Sequence, residues 1–459
     1  MKIIYLDIDS LRFDHLGCYG YQRPTSPNLD RLAAGGVKFT QCFTSDSPCM
    51  PSRAATISGM FGVKNGIVTH GERGMQMKQD APTLPEVLRE NGVHSAAFST
   101  FGRHPSPWFY GGWGDYHDPV GWTFQQTPAW KMNELVLPWL DQHANDDFFL
   151  YVQYWDPHAI YAAPLGCIDA IKDGPLPAYP TPEQIAAQQS DDWWHSARMM
   201  GIHTYEDYVK VVNEYDAEIR YVDFYVGQLL KRLDALGIAE DTMIIVAADH
   251  GEGLGEHGVY VEHWSTMNTT NQIPLLVRYP KGVKGGQTCT RLVYQFDIAA
   301  TVLDAFGVEP PEAWDSQSLW PLLKDSQAAA RDYLVIGHGL YTAQRAVVTP
   351  DWKMIRTLHG GEWKYPAVQL FNKHNDPYEQ HDVAAQHPDV INELSGLLCE
   401  WEYTHLPSDG IDPTLLNAHA EPPGLDLYGR EAIERFRDHG APQPVVLGER
   451  KPEVPLVDW

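Results

Sequence analysis

A nucleophile and a cation lie close together in the run Cys49-Met50-Pro51-Ser52-Arg53. Proline suits the first turn of a helix, so this run predicts a helix that starts at or just after Cys49. Free backbone N–H groups and the helix macrodipole favour an anion at such a start, and Arg53 follows one turn further on. The pattern predicts nucleophilic chemistry on a sulfate or a phosphate. The alternative is a buried structural cysteine followed by a capped helix, which is common in proteins.

Side chains that can bind metals follow two apolar runs that predict strands. Asp7 and Asp9 end the first run of the chain, and Asp249 and His250 follow a later one. Ligands of open α/β sheets bind at the carboxyl ends of the strands. Such a fold is expected to assemble a site from side chains that are far apart in the sequence. Asp7 lies two residues before Asp9 and therefore on the same strand face.

Three more stretches carry acid–base or basic side chains. His158 follows another apolar strand, Arg103 and His104 are adjacent in a loop, and Glu262 precedes His263. A single histidine is more often structural, and an adjacent Arg-His pair is often a surface feature. Residue type and spacing alone leave both interpretations open.

Together these runs resemble the motifs of the type I sulfatases. The run from Cys49 to Arg53, closed by Gly59, resembles that family's C-x-P-S-R signature, whose cysteine is oxidised to formylglycine after synthesis. The resemblance covers about residues 1 to 405. It includes the companion runs Leu11-Arg12-Phe13-Asp14-His15-Leu16-Gly17-Cys18-Tyr19-Gly20, Pro27-Asn28-Leu29-Asp30, Asp249-His250-Gly251-Glu252, and Leu370-Phe371-Asn372 with Asp376-Pro377-Tyr378-Glu379. It implies that Cys49 becomes formylglycine, whose hydrate is the nucleophile, and that a formylglycine-generating maturation enzyme is a partner.

The resemblance also implies one divalent metal ion, bound by Asp9, Asp249 and His250. The family usually has a second aspartate where this chain has Ser10, and Asp7 is the candidate that compensates for it. Oxygen ligands favour Ca²⁺, which we expect first, or Mg²⁺, and the imidazole makes Mn²⁺ a further alternative.

Catalytic roles follow from the same resemblance. Arg53 and Arg103 are expected to offset the charge that develops on the sulfuryl oxygens. His158 or His263 is expected to protonate the leaving alcohol. His104 is expected to take the remaining hydroxyl proton, so that sulfate is expelled and the aldehyde is restored.

Glu262 departs from the family pattern, because relatives commonly have a lysine there. A carboxylate would repel sulfate, so either His263 makes the cationic contact or Glu262 faces a neutral or cationic part of the substrate. Alternatively, this loop points away from the cleft. The departure argues against a simple aryl sulfate. Together with Trp193 and Trp194 in a Pro-rich insertion, it favours a carbohydrate sulfate.

The sequence therefore predicts a sulfatase that hydrolyses a small-molecule or oligosaccharide sulfate ester. A first alternative is a phosphonate monoester hydrolase or phosphodiesterase of the same superfamily, since Asp-His at 249–250 is also familiar there. A second is a non-catalytic binding protein in which Cys49 stays unconverted.

Composition bounds the class of protein. A net charge of −26 argues against a nucleic-acid or anionic-membrane partner. No apolar run approaches the roughly 20 residues of a membrane span, and the first residues read as a core strand and not as a signal peptide. Six scattered cysteines do not indicate a disulfide framework. These features predict a cytoplasmic protein.

The elements that must position these residues predict an α/β fold. The resemblance specifies an alkaline-phosphatase-like, mostly parallel central sheet flanked by helices, in a catalytic domain over residues 1–327. Short apolar segments separated by turns predict a smaller subdomain with an antiparallel sheet over 328–405. Residues 406–459 read as an extended C-terminal tail, an arm on its own domain or on a neighbouring subunit of a homo-oligomer.

Overall fold

A computed structural model of the protein describes residues 1–70, 75–104, 106–119, 127–188, 197, 201–340, 342–360, 365–418 and 450–455. Within these residues the strands are β1 Lys2–Ile8, β2 Val37–Phe43, β3 Asp46–Ser47, β4 Ser95–Phe98, β5 Asp115–His117, β6 Phe148–Tyr154, β7 Thr242–Ala247, β8 Gly253–Leu254, β9 Tyr260–Glu262, β10 Gln272–Arg278, β11 Gln287–Cys289, β12 Val293–Tyr294, β13 Leu334–His338, β14 Ala343–Val348, β15 Trp352–His359 and β16 Val368–Asn372.

The α-helices of the same residues are α1 Pro27–Ala34, α2 Cys49–Ser58, α3 Gly62–Asn65, α4 Leu84–Glu90, α5 Ala129–His143, α6 Leu165–Ile171, α7 Pro182–Gln188, α8 Tyr205–Ala235, α9 Asn268–Asn271, α10 Asp297–Ala305, α11 Trp320–Lys324, α12 Pro388–His405 and α13 Pro413–Ala418. Helices α1, α5 and α6 pack against the long helix α8, whereas α2, α4 and α10 pack on one another. Thr83 and Glu86 form a capping box at the start of α4.

The central sheet has the strand order β11-β2-β10-β7-β1-β6-β4-β5, with β12 beside β2. Strand β1 runs parallel to both of its neighbours, β6 and β7, while β10 is antiparallel to β7 and β2. Strands β4, β6 and β7 are buried along their whole length, as their continuous apolar sequences require in a parallel sheet. The predicted α/β fold with a mostly parallel sheet is confirmed.

This topology gathers the predicted site residues at one edge of the sheet. Asp9 follows β1, Asp249 follows β7, His158 follows β6 and His104 follows β4. These four strands are adjacent and parallel, so their carboxyl ends meet at the same edge.

A second sheet has the order β16-β15-β14-β13-β3. Strands β13 to β16 pair antiparallel, which confirms the predicted C-terminal sheet. Its fifth strand, β3, comes from the N-terminal part of the chain and lies two residues before Cys49. The domain boundary at residue 327 stays a prediction. The C-terminal sheet includes β3, which lies outside the predicted subdomain.

Short helices lie in the Pro-rich insertion and in the tail. The insertion, residues 166–200, contains most of α6 and all of α7, each of which is seven residues long and too short to show a clear period. Trp193 and Trp194 lie outside the described residues. In the tail, α13 is helical, and residues 450–455 lie on the chain's own catalytic domain.

Candidate active site

Cys49 is the first residue of α2 and is buried. The hydroxyl of Ser52 donates to the main-chain oxygen of Asp249 over 2.6 Å, which ties the first turn of α2 to the end of β7. The helix ends at Gly59 with a φ of 61°, where a Cβ would lie 2.5 Å from the ring of Trp314. The glycine that closes the signature is therefore required by both backbone conformation and packing.

The guanidinium of Arg53 spans three buried carboxylates. Its Nε donates to Asp7 Oδ2 over 2.7 Å, while Nη1 lies 2.7 Å from Asp249 Oδ2 and Nη2 lies 2.9 Å from Asp9 Oδ2. When all four groups are ionised, three carboxylates and one guanidinium leave an excess of two negative charges in a buried site. Buried charge is costly unless it is compensated, so this cluster calls for a further cation.

The donor set fits a divalent metal ion. One ligand atom each from Asp9, Asp249 and His250 can be chosen so that all three lie within 4.8 Å of one another. His250 Nδ1 lies 2.7 Å from the Gly251 carbonyl oxygen, so this nitrogen carries the proton and Nε2 is available to bind a metal ion. A divalent cation would also neutralise the excess of two negative charges.

Ser10, which stands where the family has a second aspartate, orients two of these carboxylates. Its hydroxyl donates to Asp9 Oδ1 over 2.9 Å and its backbone N–H donates to Asp249 Oδ1 over 3.1 Å. The left-handed backbone of Ser10, with a φ of 58°, permits both contacts. The serine therefore holds carboxylates in place instead of supplying one.

Burial and the neighbouring charges shift the pKa values of the three carboxyl groups in different directions. Burial, which Arg53 only partly offsets, raises the pKa of Asp249 well above its usual range and also raises that of Asp7. Burial acts in the same direction on Asp9, but Arg53, His158 and His250 outweigh it and lower the pKa of Asp9. Asp9 is the carboxylate best stabilised in its charged form.

Asp7 differs from the other two carboxylates. Its Oδ2 also accepts from the hydroxyl of Tyr151, and among the described residues it joins no group of potential metal ligands at this spacing. The prediction that Asp7 is a ligand stays untested, but its contacts are those of a residue that holds Arg53.

Histidines surround Cys49 on two sides. Ligand atoms of Cys49, His250 and His263 lie within 4.8 Å of one another, as do those of Cys49, His70 and His104. Burial and the carboxylates of Asp9 and Asp249 raise the pKa of the Cys49 thiol well above its usual range. An unconverted Cys49 would therefore be a neutral thiol and a poor nucleophile.

His104 and His158 have different neighbours in this cluster. His104 Nε2 lies 3.0 Å from His70 Nδ1, and burial together with Arg53 lowers the pKa of His104 to about 4. The His158 ring centroid lies 6.3 Å from that of His263, and His158 Nδ1 donates to the Ala159 carbonyl oxygen. At neutral pH the His104 imidazole is neutral and able to accept a proton.

The loop that carries Glu262 and His263 contributes to the site. The His263 and His250 ring centroids lie 4.1 Å apart, so His263 belongs to the Cys49 cluster. Burial raises the pKa of Glu262 to about 8. The alternative that this loop points away from the cleft does not fit the position of His263, and the role of Glu262 stays a prediction.

Arg103 is placed differently from the other predicted residues. Its Nε donates to Asp118, and Tyr110 also contacts its side chain. Its proposed contact with sulfate stays a prediction.

Two histidines near the site, His70 and His338, were not predicted. His70 lies in the cluster with Cys49 and His104, and His338 Nδ1 lies 2.8 Å from the Oγ of Ser47, two residues before Cys49. Nothing in the local sequence of either histidine distinguishes it from a structural one. Only the pairing of β3 with β13 brings His338 beside Ser47.

Known protein families match this chain over most of its length. The family model described as Sulfatase matches residues 2–308, and a model for the C-terminal region of N-sulphoglucosamine sulphohydrolase matches residues 255–402. An N-acetylglucosamine-6-O-sulfatase of Bacteroides thetaiotaomicron is 23% identical over 495 aligned positions, which cover 89% of this chain and 87% of that protein.

Solved structures show the same fold. A protein in complex with its substrate D-glucosamine-2-N,6-O-disulfate has a TM-score of 0.74 at 21% identity, covering 90% of this chain and 99% of the other. A phosphonate monoester hydrolase from Silicibacter pomeroyi has a TM-score of 0.75 at 19% identity, covering 90% of this chain and 96% of the other.

The family match covers well over half of the chain, from the first strand to the end of α10. Membership implies a bound metal ion and a formylglycine made from the cysteine of the signature, and the Cys49 and Asp9 clusters have the residues for both. The chain belongs to the sulfatase family and is an enzyme that hydrolyses sulfate esters.

Proposed function

We propose that this enzyme hydrolyses a carbohydrate sulfate ester, with a nucleophile made from Cys49 and a bound calcium ion. The observation that carries the proposal is that His250 belongs to two groups. It lies with Asp9 and Asp249 in the group that could hold a metal ion, and with Cys49 and His263 in the group around the nucleophile. The relatives named for N-acetylglucosamine-6-O-sulfate and for D-glucosamine-2-N,6-O-disulfate support a sugar substrate.

Asp9, Asp249 and His250 would hold the cation. Carboxylate oxygens favour Ca²⁺, with Mg²⁺ and Mn²⁺ as alternatives because one ligand is an imidazole. When bound, a divalent cation polarises a sulfate oxygen and lowers the pKa of an adjacent hydroxyl. The formylglycine derived from Cys49 would supply that hydroxyl at the start of α2, where backbone N–H groups favour an anion.

We assign to Arg53 the contact with the sulfuryl oxygens. Its Nε donates to Asp7 Oδ2, and the Phe101 ring flanks the guanidinium with its centroid 4.7 Å from Cζ. Such fixed donors stabilise developing charge without reorganisation. Asp7 acts through Arg53, so we assign it a positioning role and not the ligand role first expected.

Two histidines divide the proton transfers. Burial and the neighbouring His250 lower the pKa of His263 well below its usual value, so His263 is neutral at neutral pH. We therefore assign protonation of the leaving oxygen to His158. Neutral His104, on the other side of Cys49, accepts the hydroxyl proton when sulfate leaves.

A second candidate activity is hydrolysis of a phosphonate monoester. It is favoured by the TM-score of 0.75 to the phosphonate monoester hydrolase and by the Asp249-His250 pair. The same metal ion, Arg53 and nucleophile made from Cys49 would serve both reactions.

Two measurements test the proposal. The mass of the tryptic peptide that contains Cys49 shows whether one sulfur and two hydrogens have been lost and one oxygen gained. Turnover of a sulfated N-acetylglucosamine and of a phenyl phosphonate monoester is then compared on one preparation, with Cys49→Ala as the test variant and Cys399→Ala as the control. Cys399 is exposed on α12, so its substitution should leave both rates unchanged. Faster turnover of the phosphonate, or full activity in Cys49→Ala, would refute the proposal.

A further inference from the structure

A short C-terminal segment, residues 450–455, lies against the loop that carries His158. The ammonium of Lys451 forms ion pairs with Asp156 and, over 2.6 Å, with Glu218 of α8. The Asp156 and Glu218 side chains are 4% and 0% exposed, and that of Lys451 is only 15% exposed. The contact is a buried ion triad between the chain's C-terminal segment and its catalytic domain.

The segment is also fixed by its backbone and by its neighbours. The backbone N–H of Lys451 donates to the Ala162 carbonyl oxygen over 2.8 Å. Arg450 donates to the Ala163 carbonyl oxygen over 3.0 Å and to Glu214 over 2.6 Å. Val454 is 6% exposed and packs into the main hydrophobic core. These contacts make residues 450–455 an integral part of the folded domain.

The C-terminal segment contacts residues that precede and follow His158 in the sequence. Asp156 lies two residues before it, and its other carboxylate oxygen accepts from the backbone N–H of Ala129 at the start of α5, over 2.7 Å. Ala162 and Ala163 follow His158, and the Ala162 N–H donates to Glu218, the second partner of Lys451. The two ends of the 156–163 loop are therefore joined through Lys451 and Glu218.

We propose that residues 450–455 are a C-terminal clamp that positions His158 for proton transfer, with Lys451 as the positioning residue. The clamp holds the 156–163 loop at both ends and so sets where the His158 imidazole lies relative to the Cys49 cluster. A displacement of about 1 Å in a catalytic group can cost on the order of 100-fold in rate. This inference rests on the proposed role of His158 as the acid that protonates the leaving oxygen.

The first test compares Lys451→Met with Lys451→Arg, which keeps the charge, and with Lys172→Met as the control. Lys172 is an exposed lysine that pairs with the exposed Asp169 of α6. Each variant is assayed on 4-nitrophenyl sulfate, whose leaving group needs little protonation, and on an alkyl or sugar sulfate, whose leaving group needs it. We expect Lys451→Met to lower kcat about 10-fold or more on the alkyl or sugar ester and by less than about two-fold on the aryl ester, since general acid catalysis is worth about 10²- to 10⁴-fold. Lys451→Arg should recover most of the loss.

A double variant shows whether Lys451 acts through His158. If it does, adding Lys451→Met to His158→Ala should reduce kcat little beyond the loss in His158→Ala alone, because residues that act as one unit are not additive. Equal losses on both esters, fully additive losses, or a lowered melting temperature with unchanged kcat would each overturn the clamp proposal.

Amide hydrogen exchange separates this inference from the proposed function. Lys451→Met should speed exchange in peptides that cover residues 156–163 and leave those that cover α2 unchanged. If His158→Ala has wild-type rates on both esters, the proposed role of His158 is wrong and the clamp loses its catalytic purpose. If His158→Ala shows the leaving-group dependence but the 156–163 loop exchanges at the wild-type rate in Lys451→Met, only the clamp is refuted.

Discussion

Asp7 and Asp9 lie two residues apart on one strand, and substituting each by asparagine should have opposite consequences for metal binding. Asp7 Oδ2 accepts from Arg53 Nε over 2.7 Å and from the Tyr151 hydroxyl. Asp9 instead belongs to the group of potential metal ligands with Asp249 and His250. We expect Asp7→Asn to retain its metal ion and Asp9→Asn to lose it.

The size of the effect follows from the contacts of Asp7. Asparagine keeps an acceptor oxygen but loses the charge, and charge-assisted hydrogen bonds are about twice as strong as neutral ones. With hydrogen bonds to charged groups worth about 1.5–3 kcal/mol each, the two contacts together lose about 2 kcal/mol. If Arg53 is displaced and the activation free energy rises by this amount, kcat drops by about 30-fold.

The assay pairs metal content with steady-state kinetics on the same protein samples. Metal is counted per chain by plasma mass spectrometry after dialysis, for wild type, Asp7→Asn and Asp9→Asn. Metal loss in Asp7→Asn equal to that in Asp9→Asn would make Asp7 a ligand and refute the positioning role. A wild-type kcat in Asp7→Asn would show that Arg53 needs no third carboxylate.

Three further predictions address charge, metal and packing. Burial keeps Glu262 neutral below its pKa of about 8, so above that pH its carboxylate should repel the sulfate ester and lower kcat/KM. Glu262→Gln should abolish this fall in kcat/KM at alkaline pH. A pH profile that is the same in Glu262→Gln and in the wild type would show that another group titrates. Removal of metal with a chelator should abolish turnover and lower the melting temperature, and Ca²⁺ should restore both; a metal-free protein with full activity would contradict the assignment. Gly59→Ala should lower the free energy of unfolding by about 2–5 kcal/mol, since left-handed backbone strain costs about 1–2 kcal/mol and overpacking about 1–3 kcal/mol. The control Gly92→Ala has a φ of 73° and open space around the added Cβ, so an equal loss there would show that contact with Trp314 is unimportant.

Local sequence rules were sufficient for several parts of this protein. Pro51 in the first turn places the start of α2 at Cys49, because its ring suits the first helical turn and lacks an N–H that would have no partner. The apolar run before Asp249 forms a fully buried strand, and polar residues begin where that strand ends. Parallel strands bring their carboxyl ends to one edge, so the approach of Asp9 to Asp249 follows from strand assignment together with the resemblance.

Tertiary structure decided which partner each side chain of the site meets. Spacing puts Asp7 and Asp9 on the same strand face, but only the position of Arg53 on α2 and of Tyr151 on β6 separates their roles. His70 joins Cys49 through a contact with His104, 34 residues away, which no local pattern records.

The C-terminal segment shows the same limit over a longer distance. Nothing in the sequence around Lys451 indicates a buried ammonium, since lysine is almost always exposed unless it is paired. Its pairing with Asp156 and Glu218, 295 and 233 residues away, depends on how α8 and the loop after β6 pack together. The sequence determined the elements and their polar ends through short-range backbone preferences. The tertiary structure determined the charge partners, because compensation of buried charge depends on distances that only packing sets.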